Sequence, residues 1–142
     1  MAKGYRRAVV AYIDVLGFLD KVSASTHDAQ VFQAIQTMLS DTRRIARRLS
    51  PDGTKDDSLR SLRTQMFSDS IVISSENLSE EAVTLVTKMA MLFQMNAAVD
   101  GFLLRGALAV GEHYEDGNLM FGPAIIDAYQ FCLLYTSPSP RD

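Results

Sequence analysis

The chain has 142 residues, with 14 Lys and Arg against 17 Asp and Glu, a formal net charge of −3. That length fits one domain able to bury roughly two-thirds of the surface its unfolded form exposes, and 47% hydrophobic with 22% charged residues excludes a disordered chain. The acidic balance excludes bulk attraction to nucleic acid or an anionic membrane, so neither is an expected partner, and any anionic substrate has to be held by local groups.

The N-terminal stretch MAKGYRRAVV lacks the long apolar core of a signal peptide, and no apolar run approaches the roughly 20 residues of a membrane helix, so the expected location is the cytoplasm. Residues 7–14, RAVVAYID, are nearly unbroken apolar sequence ending in an acid, the pattern of a central strand buried on both faces. After the connection VLGF, residues 28–49 place Val31, Ile35, Met38, Ile45 and Leu49 at helical spacing, which predicts an amphipathic helix. Arg43, Arg44, Arg47 and Arg48 gather near its C-terminal end, as a solvated cationic end or as a phosphate- or RNA-binding patch. Residues 51–58, PDGTKDDS, read as a loop, and LRTQMF and SIVIS as a hairpin with Ser68 and Asp69 between them. Neither of those two is the glycine that a tight two-residue turn prefers, which leaves a two-residue turn and a wider one both open. Asn77 and Glu80 resemble a capping box opening a helix over about 78–99, and Gly101 stands where a C-terminal cap glycine belongs. FLLRGALAV, residues 102–110, predicts a last long strand, EDG at 115–117 a turn, and residues 122–131 a final helix. The succession strand, helix, hairpin, helix, strand predicts an α/β (α+β) domain: a ferredoxin-like βαββαβ sheet with helices on one face.

The one cysteine, Cys132, excludes an internal disulfide and any metal-knuckle spacing. It opens the segment CLLYTSPSPRD, residues 132–142, which resembles a translated sequencing adapter; a genuine flexible Ser-Pro tail would read the same way. The expected division is a domain over 1–131, incomplete at its C-terminus, and a non-native or disordered tail over 132–142, with no chemistry at Cys132.

Two segments carry candidate chemistry. YIDVLGF, residues 12–18, ends a strand on Asp14, and Gly17 lets backbone amides approach an anion closely, although an acid capping the next helix would look identical. MFSDSIVIS, residues 66–74, puts Asp69 at the joint of the hairpin. In a βαββαβ sheet the first strand and the hairpin are neighbours, which brings the two acids toward each other, and paired carboxylates are held by a cation between them. Hard oxygen donors suit Mg²⁺ or Mn²⁺ completed by water and substrate phosphates.

These two segments, with LLRGALAVGE at 103–112 and FGPAIIDAYQF at 121–131, resemble the class III nucleotide cyclases, and most closely the pyrimidine cyclases of Pycsar anti-phage systems. The resemblance implies a cytoplasmic homodimer that cyclises a nucleoside triphosphate, UTP or CTP, and releases pyrophosphate, the cyclic product acting on a cyclic-nucleotide-responsive effector. It implies two Mg²⁺ or Mn²⁺ ions on Asp14, Asp69 and the Val15 carbonyl, and a triphosphate cradle from the amides of Leu16, Gly17 and Phe18. Gln65 falls at the base-selecting position. Ser68 replaces the family's usual glycine, and Ile126 and Gln130 stand where a transition-state Asn and Arg are usual, which leaves Arg105 as the candidate catalytic cation. The other reading is a non-catalytic module that keeps the fold for nucleotide binding or dimerisation.

Overall fold

The sheet is built on β1 (Arg6–Val15), whose alternation sends Val9, Ala11 and Ile13 to one face and Ala8, Val10 and Tyr12 to the other. Both sets are covered, which is why the run reads as continuously apolar. The computed structural model describes residues 4–48 and 62–134. The loop expected at 51–58 and the tail beyond residue 134 lie outside them.

After β1 come α1 (Phe18–Ser25), α2 (Ala29–Arg48), β2 (Leu62–Phe67), β3 (Ser70–Ser75), α3 (Glu80–Val99), β4 (Leu104–Glu115), β5 (Met120–Phe121) and α4 (Pro123–Leu134). The strands lie in the order β2-β3-β1-β4-β5, and every pair is antiparallel. The described residues therefore form a mixed α+β domain of five strands and four helices, in which the expected succession is joined by α1 and the short β5.

Helices cover both faces of the sheet, where the sequence led us to expect one. Val86 and Phe93 of α3, joined by Ile45 and Ala46 of α2, bury Val9, Ala11, Ile13, Ile71 and Ile73. On the opposite face Ala124 and Ile125 of α4 pack on Ala8, Val10 and Val72. The buried side of α4 is Ala124, Ala128 and Cys132, one every four residues, and small side chains there let the helix lie close to the strands. Gly111 of β4 faces this helix, and a methyl built on it would meet the Ala124 Cβ at 3.5 Å, an ordinary contact. The helix also does not stop at Phe131: it runs to Leu134 with Cys132 only 2% exposed.

α1 is an element the sequence did not announce. It is eight residues long and holds no fully buried residue; Phe18 packs, partly buried, against the core around Val15 and Phe102. The β2–β3 turn is the narrower of the two open forms: Phe67 pairs directly with Ser70, leaving Ser68 and Asp69 as a two-residue turn with Ser68 at φ 52°. A positive φ is where glycine is at ease and serine is not. The N-cap of α3 is Ser79, two residues beyond the expected Asn77; its hydroxyl accepts from the Ala82 amide at 3.2 Å, while the Asn77 side chain accepts from the Ser79 amide at 2.9 Å. At the other end Gly101, at φ 83°, takes its expected place, with Gly101 N–H donating to Ala98 and Phe102 N–H to Ala97. α3 is also, among the described residues, the one helix long and apolar enough to cross a membrane, a run the sequence reading passed over. Its Val86, Phe93 and Ala97 are wholly buried against the sheet and the neighbouring helices.

Candidate functional site

Asp14 is the last residue but one of β1, directly across from Ser70 on β3 and Arg105 on β4. Cross-strand partners share a face, so Asp14, Ser70 and Arg105 lie together on the α4 side of the sheet. Asp69 precedes Ser70 in the turn, at the same end of the sheet as Asp14. Both carboxylates act on one phenol: the Tyr12 hydroxyl is held above the ordinary tyrosine range chiefly by burial, with Asp14 and Asp69 adding to the rise and the hydrogen bond to Ser70 opposing it. Tyr12 and Ser70 share that bond at 2.8 Å, and Tyr129 of α4 stands edge-on to the Tyr12 ring, centroids 5.2 Å apart.

Arg105 is not an isolated cation. Its Nε donates to Asp14 Oδ1 at 2.7 Å and its Nη2 to Asp14 Oδ2 at 3.2 Å, a two-pronged ion pair. The two side chains are 24% and 13% exposed. That hydrogen bonding raises the guanidinium further above its ordinary value, so it stays charged throughout. Cys132 completes the group, its Sγ lying 3.9 Å from Asp14 Oδ1. Burial, with Asp14 beside it, pushes the thiol up, so it remains protonated. A residue expected to lie outside the domain thus packs on the acid at its centre.

Val15 closes β1 with its side chain buried. The expected amide cradle is narrower than the sequence suggests, because the Leu16 N–H donates to the Leu103 carbonyl at 2.8 Å. Gly17 takes the left-handed conformation, φ 65°, that caps α1, and Phe18 is the first residue of that helix. Gln65 pairs with Val72, which pairs with Tyr12, so it shares the face of Asp14. Its Nε2 is buried with no hydrogen-bond partner. Ile126 and Gln130 are on the exposed side of α4. Arg43, Arg44, Arg47 and Arg48 are exposed on α2, with Arg44 paired to Asp41, and stand apart from this site.

No protein-family model matches the chain, and no curated protein matches it. The chemistry of the site therefore rests on its own residues. Among the described residues no three His, Cys, Asp or Glu side chains gather into a metal-binding group. Asp14 and Asp69, at one end of the sheet, are oxygen donors of the kind Mg²⁺ or Mn²⁺ takes, and such ions are commonly held by one or two acids with water and substrate phosphates supplying the remaining ligands. Tyr12, Ser70, Tyr129 and Cys132 are the parts sequence reasoning missed. The alternation of β1 placed Tyr12 on the face of Asp14, and that was the one available signal.

Proposed function

We propose that this domain is the nucleotide-cyclase part of a signalling enzyme, converting UTP or CTP into the 3′,5′-cyclic nucleotide and pyrophosphate as a signal in anti-phage defence. The observation that carries the reading is the register of β1 and β3, which sets Asp14 across from the residue next to Asp69. The antiparallel order β2-β3-β1-β4 supports it as well, being the arrangement of a ferredoxin-like βαββαβ sheet.

Asp14 and Asp69 hold two Mg²⁺ or Mn²⁺ ions, with the Val15 carbonyl as a further oxygen. When bound, such ions lower the charge on the triphosphate and on the oxygens that attack and leave. Gly17 and Phe18 present amides at the start of α1 to phosphate oxygens. Arg105 turns its fork to the polyphosphate. Gln65 offers the base a neutral carboxamide that both donates and accepts, which suits a uracil or cytosine edge. A homodimer supplies the rest of the site from the second subunit, and the cyclic product acts on a separate effector.

Incubation with UTP, CTP, ATP and GTP in turn, with Mn²⁺ or Mg²⁺, tests this by mass analysis of the products. Cyclic UMP or cyclic CMP should dominate, and Asp69→Asn should abolish the product by removing a charged ligand. Dominant cyclic AMP or cyclic GMP would overturn the base assignment. A second reading, a non-catalytic nucleotide-binding or dimerisation module, is favoured by Ile126 and Gln130 in place of polar and cationic groups; nucleotide binding with no cyclic product from any of the four would select it.

A further inference from the structure

The carboxylate that the proposed function assigns to a cation already has one. Both oxygens of Asp14 are taken by the Arg105 fork, at 2.7 and 3.2 Å. The partners face each other across paired strands, so the contact is set by backbone register and not by a chance rotamer. A divalent ion arriving alone has either to displace a guanidinium N–H from Asp14 or to share its carboxylate with the fork, and in both cases it sits beside the positive charge of Arg105. The metal brings no anion with it, so the repulsion between the two cations is not compensated by the incoming ion. A polyphosphate arriving with the metal changes the balance: its oxygens match the same planar fork and give Arg105 a new partner as it leaves Asp14. At 24% exposure the Arg105 side chain is within reach of a ligand in solvent.

We propose that Arg105 is a counter-ion lock on Asp14, which keeps the site from filling with metal alone and makes cation and polyphosphate load together. This rests on the metal–triphosphate reading of Asp14 and Asp69. It assigns Arg105 two alternative partners, Asp14 before loading and phosphate after. A purely structural ion pair has a different signature: its removal weakens the fold and does nothing to improve cation binding.

The test is Mn²⁺ binding to the whole chain, followed by water-proton relaxation, with and without inorganic tripolyphosphate as the anion. Wild type, Arg105→Met, Arg105→Lys and Asp14→Asn are compared, with circular dichroism to establish that each is folded. Releasing a charge-assisted two-pronged contact should let Arg105→Met bind Mn²⁺ alone about tenfold more tightly than wild type. Tripolyphosphate should tighten Mn²⁺ binding to wild type by about the same factor and hardly affect Arg105→Met. Arg105→Lys, which keeps the charge and loses the fork, should fall between them, and it carries the test if the methionine variant does not fold. Asp14→Asn should abolish binding under either condition. If Mn²⁺ binds Arg105→Met no more tightly than wild type while Asp14→Asn still abolishes binding, the lock is wrong and the metal site stands. If no variant binds Mn²⁺ with or without tripolyphosphate, the metal site falls and the lock with it.

Discussion

Two glycines of β4, five residues apart, should respond in opposite ways to the same added methyl. A Cβ on Gly106 would lie 2.8 Å from the Tyr12 backbone oxygen and 3.1 Å from Ile13 Cγ1. Ordinary C···O contacts between strands are about 3.3–3.6 Å, so β4 would have to move away from β1 by about half an ångström. Overpacking of that kind costs about 1–3 kcal/mol, from which about 0.4–1 kcal/mol is recovered because alanine stiffens the unfolded chain. Gly106→Ala is therefore expected to lose about 1–2 kcal/mol, and the shift falls beside Arg105, so the Asp14 pair should loosen too. At Gly111 the nearest atom is the Ala124 Cβ at 3.5 Å, an ordinary contact, and the backbone φ is not positive. Gly111→Ala should keep the unfolded-state gain and be neutral or up to about 1 kcal/mol more stable. Urea denaturation followed by circular dichroism measures both, with the slope m expected to stay constant. A Gly106→Ala protein as stable as wild type, or a larger loss at Gly111, would refute the packing account of the β1–β4 junction.

The other predictions concern stability at two defined places. His113 is 1% exposed, neither ring nitrogen has a hydrogen-bond partner, and burial holds its pKa below the ordinary value against the opposing pull of Glu76, with Arg6 across the strand pair. The unfolded chain therefore takes up the proton first, and stability should decline as pH falls below about 6.5 toward the lower folded value. His113→Phe should remove that part of the decline, seen as a smaller drop in urea midpoint between pH 7.5 and 5; parallel curves for the two proteins would contradict it. Ser79→Ala removes the hydroxyl that accepts from the Ala82 amide and should cost about 1 kcal/mol. Asn77→Ala, which leaves that bond in place, should cost less, and the reverse order in thermal melts would return the cap to Asn77.

Much of the fold was legible because burial writes itself into sequence where apolar residues are large and regularly spaced. β1 was plain on that account, as were the helix over Ala29–Arg48 and the Gly101 stop. α1 is faint in the sequence because it is only eight residues long and buries no side chain fully, Phe18 packing only partly against the core. The second helical layer was hidden for a different reason: α4 meets the sheet through alanines and a cysteine, so its contact face carries little hydrophobic signal of its own. The position of Asp14 and Asp69 at one end of the sheet followed from topology and needed no side-chain information. The pairing of Asp14 with Arg105 did not, since the partners are 91 residues apart and only the β1–β4 register joins them. The Leu16 amide was lost to the cradle for a similar reason, its acceptor being a carbonyl of the chain that leads into β4. Ser68 was read as a departure from a glycine, and its positive φ gives that departure a cost.

Cys132 gives the α4 contact a built-in probe. It is the one cysteine in the chain and is 2% exposed, on the side of α4 that touches the sheet beside Asp14. A thiol reagent can reach it only when the helix lifts or the domain unfolds. With exchange faster than reaction, the ratio of its labelling rate to that of an exposed thiol gives the free energy of undocking α4, and comparing that value with global stability tells whether the helix leaves alone. A bulkier side chain at Ala124 or Ala128 would raise the labelling rate by wedging the helix away, whereas changes at exposed Ile126 or Gln130 would leave it unchanged. One sulfur atom thus turns helix docking over the acidic end of the sheet into a quantity that can be timed.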